Sequence, residues 1–308
     1  MVLLAAGHAG AWSRELRMLP FLAQLGHRVV FCEPDSQGAP FLAGSANGTY
    51  RCADAAVLKR LDLGPVFVWL SASGQWGEVG SWPGARYVVD LSEAPPVLDP
   101  NWLELARRAD VVVADADGRW PGAVIAPDGA DWNGLASLPA PRHLDTLGVI
   151  PRGRGPADAS LLRRLAKRFP RIHIRAPYVA TEGKTQEMPR ANLTTVPIAG
   201  TADWRIELAN LDAILVERPP GRFPAGAAWD AIAAGRPVAS YYEPGLAELG
   251  LPLLLVNRSK SAVGDLERAV SDGRHQEACR RPVSACELQH AAARVAEALG
   301  IMEAKGGC

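Results

Sequence analysis

Residues 212–240 read DAILVERPPGRFPAGAAWDAIAAGRPVAS. A short apolar run, AILV, gives way to a loop of Pro and Gly. An alanine-rich helical stretch follows, carrying one acid, Asp230; Gly235 stops it and VAS opens another strand. Strand, small-sided helix and strand in so few residues is the unit from which parallel, doubly wound α/β sheets are built. The helix raises a question of its own, because Ala225, Gly226, Ala227 and Ala228 put almost no side chain on its first turn.

The same alternation extends in both directions. Upstream strands are expected at 2–6 (VLLAA), 28–33 (RVVFCE), 66–71 (VFVWLS), 86–92 (RYVVDLS), 109–115 (ADVVVAD) and 122–127 (GAVIAP). Continuous apolar runs of this kind suit parallel strands buried on both faces. Between the first two, SRELRMLPFLAQLG repeats apolar residues at helical spacing and ends on Gly26, a C′ glycine. The proline-bearing 136–146, ASLPAPRHLDT, breaks the periodicity and reads as a linker. Beyond it come the strand LGVIP at 147–151, the helix DASLLRRLAKRF with Asp158 or Ser160 as N-cap, and the strands RIHIRAP and LTTVPIAG. The helix TADWRIELANL, the opening stretch, the strand LPLLLVN and two terminal helices complete the chain.

A chain of 308 residues suits two units of about 150 each. The expected architecture is therefore two Rossmann-like domains facing a cleft, residues 1–140 and 147–308. The apolar spacing of Leu288, Ala292, Val295 and Leu299 fits a terminal helix that packs back onto the first domain, or ordinary packing within the second.

Lys plus Arg and Asp plus Glu stand at 33 each, so no net field draws the chain to nucleic acid, and no nucleic-acid partner is expected. Five cysteines without a CxxC pair fit a reducing compartment. MVLLAAGHAG has too short an apolar run, and no basic flank, for a signal peptide; no stretch nears the roughly 20 apolar residues of a membrane span. A cytoplasmic protein is expected.

The second half, on DAILVERPPGRFPAGAAWDAIAAGRPVAS, YYEPGLAELGLPLLLVNRSKSAVGDLERAVSD and GVIPRGRGPADASLLRRLAKRFPRIHIRAP, resembles the donor domain of GT-B glycosyltransferases, particularly the retaining sugar-nucleotide type of bacterial polysaccharide enzymes. The likeness covers most of 147–300. In the first half it is carried by LAQLGHRVVFCEPD, RYVVDLSEAP and RRADVVVADADGRWPGAVIAPDGADW, similar to the acceptor-side domain. The resemblance implies a nucleoside-diphosphate-sugar donor and a glycan, glycolipid or small-molecule acceptor.

The physics of the opening helix agrees. A helix N-terminus offers unpaired N–H groups and about half a positive charge, and small residues at 225–228 leave it open to a diphosphate. Asp230, one turn in, stands where a carboxylate would bind ribose hydroxyls. The competing account is that small residues let this helix pack tightly on the sheet.

The chain also departs from the pattern. Retaining members carry two glutamates separated by seven residues; eight before Asp230 stands Arg222, and the second acid is an aspartate. Glu217 is an acid nearby, but thirteen residues before Asp230. Arg152 and Arg154 in PRGRGP are candidates for the donor diphosphate, by bidentate contact.

On the acceptor side, AAGHAGAW offers Gly7, His8 and Gly10, a glycine turn with a proton-transfer group. Asp90 and Glu93 in VVDLSEAP follow a strand's carboxyl end, where open α/β sheets bind ligands; either is a candidate base or sugar ligand. Trp76 and Trp82, in a glycine-rich stretch, are candidates for an acceptor-facing or membrane-facing rim, and a lipid-linked acceptor would imply peripheral membrane contact. The triplet Asp115 to Asp117 matches a metal-binding DxD only superficially, because it ends a strand. No zinc cluster and no GxSxG elbow occur, and GT-B enzymes offset diphosphate charge with helix dipoles and basic side chains, so no metal or cofactor is expected.

Three functions fit these residues. One is a glycosyltransferase, another a catalytically silent relative that binds or scaffolds, and the third a different nucleotide-sugar enzyme such as an epimerase or hydrolase.

Overall fold

The computed structural model describes residues 2–6, 14–32, 43–44, 49–52, 65–71, 79–91, 94, 97–114, 120–126, 129–151, 156–179, 191–198, 201–217, 225–241, 252–256, 259–280 and 288–300. In chain order the elements are β1 Val2–Ala6, α1 Arg14–Gln24, β2 Arg28–Cys32, β3 Ala43–Gly44, β4 Thr49–Cys52, β5 Val66–Leu70, β6 Arg86–Asp90, α2 Pro100–Arg108, β7 Val111–Ala114, β8 Val124–Ile125, α3 Trp132–Leu135 and β9 Thr146–Ile150. Then follow α4 Ala159–Arg168, β10 His173–Val179, β11 Leu193–Ile198, α5 Thr201–Ala209, β12 Ala213–Val216, α6 Ala225–Ala233, β13 Val238–Tyr241, β14 Leu253–Val256, α7 Ser259–Ser271, α8 Gly273–Arg280 and α9 Leu288–Ala298. The described residues divide into two compact units, one comprising those of 2–126 and 288–300, the other those of 129–280.

The first unit is built on an eight-stranded sheet in the order β3-β4-β2-β1-β5-β6-β7-β8, parallel except where β3 pairs with β4. Side chains alternate along each strand. Phe67 and Trp69 of β5 join Val29, Phe31 and Val88 on one face, covered by Met18, Leu19 and Leu22 of α1 and by Leu288, Ala292 and Val295 of α9. Val68 and Leu70 face the other way with Val30, Tyr87 and Val89, under Trp82 and under Trp102 and Leu105 of α2. Gly26 closes α1 at φ 88°, a conformation that suits glycine. The α2 helix starts where Asp99 accepts from the Asn101 and Trp102 amides at 2.9 and 3.0 Å, with Pro100 at N1.

The second unit carries a six-stranded, wholly parallel sheet, β11-β10-β9-β12-β13-β14. Leu147, Val149, Ile174, Ala213 and Leu215 pack on one face beneath Leu161, Leu162 and Leu165 of α4 and Val263 and Leu266 of α7. The buried Ile214, Trp204, Leu208 and Ile232 lie outside that cluster, with α5 and α6. A Cβ at Gly148 would meet Leu211 Cδ1 at 2.7 Å, so a larger residue there would have to move the Leu211 side chain.

The stretch expected as a linker is built into this unit. Pro139 and Pro141 have no N–H and offer only their carbonyls, and three side chains donate to carbonyls of the stretch. Arg280 Nη2 reaches the Leu138 carbonyl at 2.5 Å, Arg236 Nη1 the Pro139 carbonyl at 2.5 Å and Gln276 Nε2 the Pro141 carbonyl at 2.6 Å. Arg236 is itself buried and also donates to the Leu208 and Ala234 carbonyls. Burial lowers its guanidinium to about 10, so it stays charged at neutral pH.

Three helices follow β14 where two were expected. Asp272 ends α7 and its carboxylate accepts from the Arg274 amide at 3.0 Å, so a new helix begins. Among the described residues, no helix is long and apolar enough to cross a membrane.

Candidate functional site

Counted within its own unit, the second sheet has the order 3-2-1-4-5-6, in which β9 and β12 lie side by side and the chain leaves them for α4 and α6. This is the topological switch point, and the crevice outside the carboxyl ends of two such strands is where doubly wound folds take ligands. The two crossovers are built differently. At the start of α4, Asp158 is the N-cap: its carboxylate accepts from the Ser160 amide at 2.8 Å and the Ser160 hydroxyl at 2.7 Å. Those bonds, the Ser160 hydroxyl foremost, hold its pKa below the usual carboxylate value. An anion is thus already seated at that end of α4.

The first turn of α6 has no acid, and Gly226, Ala227 and Ala228 are buried within it. Its far end is closed by a Schellman motif: Gly235, at φ 73°, donates to the Ile232 carbonyl and Arg236 to the Ala231 carbonyl, both at 2.8 Å.

Asp230 lies inside α6 with 7% of its surface exposed, and its Oδ2 accepts from the Trp204 indole N–H of α5 at 3.1 Å. Its carboxylate therefore ties two helices together in the interior. Glu217, the residue after β12, is half-buried; its amide donates to the Ile150 carbonyl at 2.9 Å and its Oε1 accepts from the Asp158 amide at 2.7 Å. The signal for it in the sequence was an acid directly after a buried strand, at its carboxyl end.

In the first unit Asp90 is the last residue of β6 and fully buried. Trp82 does not stand on a rim. It is 6% exposed and packs with Val68, Tyr87 and Leu105, because its stretch turns back onto the sheet, where its amide donates to the Tyr87 hydroxyl at 3.1 Å. Gly7, His8, Gly10, Trp76, Glu93, Arg152, Arg154 and Arg222 lie outside the described residues, as do Asp115 to Asp117 and the side chain of Ala225. Among the described residues, no group of three or more His, Cys, Asp or Glu is placed to hold a metal ion.

No protein-family model matches the chain, and no curated protein matches it in sequence. Solved structures do match in shape. The Anabaena protein HepE, in complex with UDP and glucose, superposes with a TM-score of 0.63 at 14% identity over 98% of this chain and 99% of its own. The chain has the GT-B fold. Two further GT-B structures agree. Sucrose-phosphate synthase from Thermosynechococcus elongatus gives a TM-score of 0.54 at 14% identity over 97% of this chain and 96% of its own. A glycosyltransferase from Rickettsia africae gives 0.54 at 11% identity, over 97% and 94%. At such identities the likeness is one of fold, and residue roles rest on the site itself.

Proposed function

We propose that the protein is a cytoplasmic glycosyltransferase that moves a sugar from a nucleoside-diphosphate sugar to a hydroxyl of a glycan, glycolipid or small molecule. The observation that carries this reading is the asymmetry of the switch point. The end of α4 is occupied by its own Asp158, whereas α6 begins on a turn of small residues without an acid. A diphosphate placed at α6 meets a first turn whose small residues put almost no side chain in its way, and the positive end of the helix. As it leaves, its growing charge is offset by those fixed dipoles together with Arg152, Arg154 and Arg222, and no divalent cation is required. Asp230 is assigned the donor side through α6. On the acceptor side His8, with Gly7, Gly10, Glu93 and Trp76 around the acceptor, is the base to test first, because Asp90 is buried.

HepE was solved with UDP and glucose, which makes UDP the first probe. Calorimetric titration with UDP, GDP, ADP and TDP should give binding to one of them in the range of about 1 µM to 1 mM, unchanged by a chelator. Gly226→Asp, by setting a carboxylate against the helix start, should abolish it in a protein whose circular dichroism is unchanged, while Gly226→Ala should retain it. Absence of binding to the whole panel refutes the reading. Arg222 in place of the first motif acid favours a second one, a silent relative that binds the nucleotide and turns nothing over. Nucleotide binding without sugar release from any nucleoside-diphosphate sugar selects it.

A further inference from the structure

The N-cap of α4 lacks one half of the usual arrangement. In a capping box the N-cap side chain takes an amide of the first turn, and a Glu or Gln three residues on reaches back to the amide of the N-cap residue. Asp158 performs the first half on Ser160, but the position three on is Leu161, which is committed to the core. The acceptor for the Asp158 amide comes from elsewhere in the chain: it is the carboxylate of Glu217, 59 residues later, at 2.7 Å.

Glu217 is also bound through its own backbone, which donates to the Ile150 carbonyl at the end of β9. One residue therefore touches the end of β9, the start of α4 and, by its place in the chain, the exit of β12 toward α6. The end of β9, the start of α4 and the exit of β12 thus meet at that residue.

We propose that Glu217 is a positioning residue for the nucleotide donor: it completes the α4 cap in trans and so fixes the two crossovers that flank the donor site relative to each other. This rests on the donor reading above. A ligand held between two loop bases loses contacts when either one shifts, so the loss is read first in binding of the donor. The carboxylate acts here as a hydrogen-bond acceptor, so a neutral acceptor of the same reach preserves the effect.

The test is UDP titration of the full chain as wild type, E217Q and E217A, with thermal melting and amide exchange at 156–160 on the same samples. E217A should weaken UDP binding about tenfold or more and raise the donor KM with kcat changed less, and should speed exchange at 156–160. E217Q should stay within about threefold of wild type in every readout. If E217A does not fold, E217S, too short to reach the Asp158 amide, carries the same expectations. Wild-type affinity in E217A overturns the proposal. So does E217Q as weak as E217A, because the charge itself would then be meeting the ligand. If another diphosphate of the panel proves to be the ligand, it replaces UDP throughout. Wild type that binds none of the panel sinks the donor reading and this role together, whereas wild-type binding with an indifferent E217A sinks only this role.

Discussion

At the scale of single residues, Asp230 shows how an acid's partner changes its meaning. A lone carboxylate in an alanine-rich helix invites a role toward ligand; in the folded chain it takes the Trp204 indole N–H in a place with almost no water. Removing the acceptor leaves that N–H buried, so Asp230→Ala should lower the free energy of unfolding by about 1–3 kcal/mol in urea denaturation. A double-mutant cycle with Trp204→Phe should show coupling, since the two side chains share one hydrogen bond. Additive effects would break the assignment. His275 of α8 is a second case. Its Nε2 is buried with no hydrogen-bond partner among the described residues, and burial lowers its pKa below 6.5 against the opposing pull of Asp272. The unfolded chain then binds the proton more readily, so the folded state has its full advantage above pH 6.5 and loses it as pH falls from 6.5 through the folded pKa. His27 is shifted the same way, chiefly by burial, so the comparison has to be differential. Melting curves of His275→Asn against wild type should show a shallower loss of stability below pH 6.5 in the variant, and equal slopes would exclude His275 as the source.

At the scale of elements, helix ends do much of the specifying. Gly235 both terminates α6 and lets Arg280 pass. Its φ of 73° is left-handed, and a Cβ there would collide with the Arg280 Nε. Gly235→Ala should thus cost more than the about 1–2 kcal/mol of left-handed backbone strain, because Arg280 must also give up the Leu138 carbonyl. Urea unfolding reads this directly, and a loss of no more than about 1–2 kcal/mol would show that Arg280 yields freely. The sequence made the helix, its glycine stop and the strand beyond legible, since all three are local signals. What it hid was the partner of each end. The prolines at 139 and 141 break periodicity, and a broken period reads as a linker; the donors that hold it, Arg236, Gln276 and Arg280, come from far along the chain and leave no spacing to detect. The β3 and β4 strands escaped for the opposite reason, being too short, and TYRC too polar, to stand out as a buried run.

At the scale of the whole molecule, two sheets of mostly parallel strands are readable from apolar runs because parallel strands buried on both faces are near-continuously apolar. The path of the chain through them is not, because it depends on which core the last helix enters. The α9 helix follows the second unit in sequence yet belongs to the first, where Leu288, Ala291, Ala292, Val295 and Leu299 lie in one cluster with Met18, Leu19 and Leu22 of α1. Arg86, at the start of β6, extends over the Phe67 ring at 5.0 Å and donates to the Leu299 carbonyl at 3.4 Å, holding the helix by its last turn. The first unit is thus finished by a helix that comes after the whole of the second unit in sequence. Ending the chain after Val283 strips that cover from α1, and each large apolar side chain so exposed forgoes about 1.5–3 kcal/mol of burial. In calorimetry the truncated protein should lose or sharply lower one transition while the other, belonging to 129–283, keeps its midpoint, and nucleotide binding should persist with it. Equal loss in both transitions would mean that the two units do not melt as separate bodies.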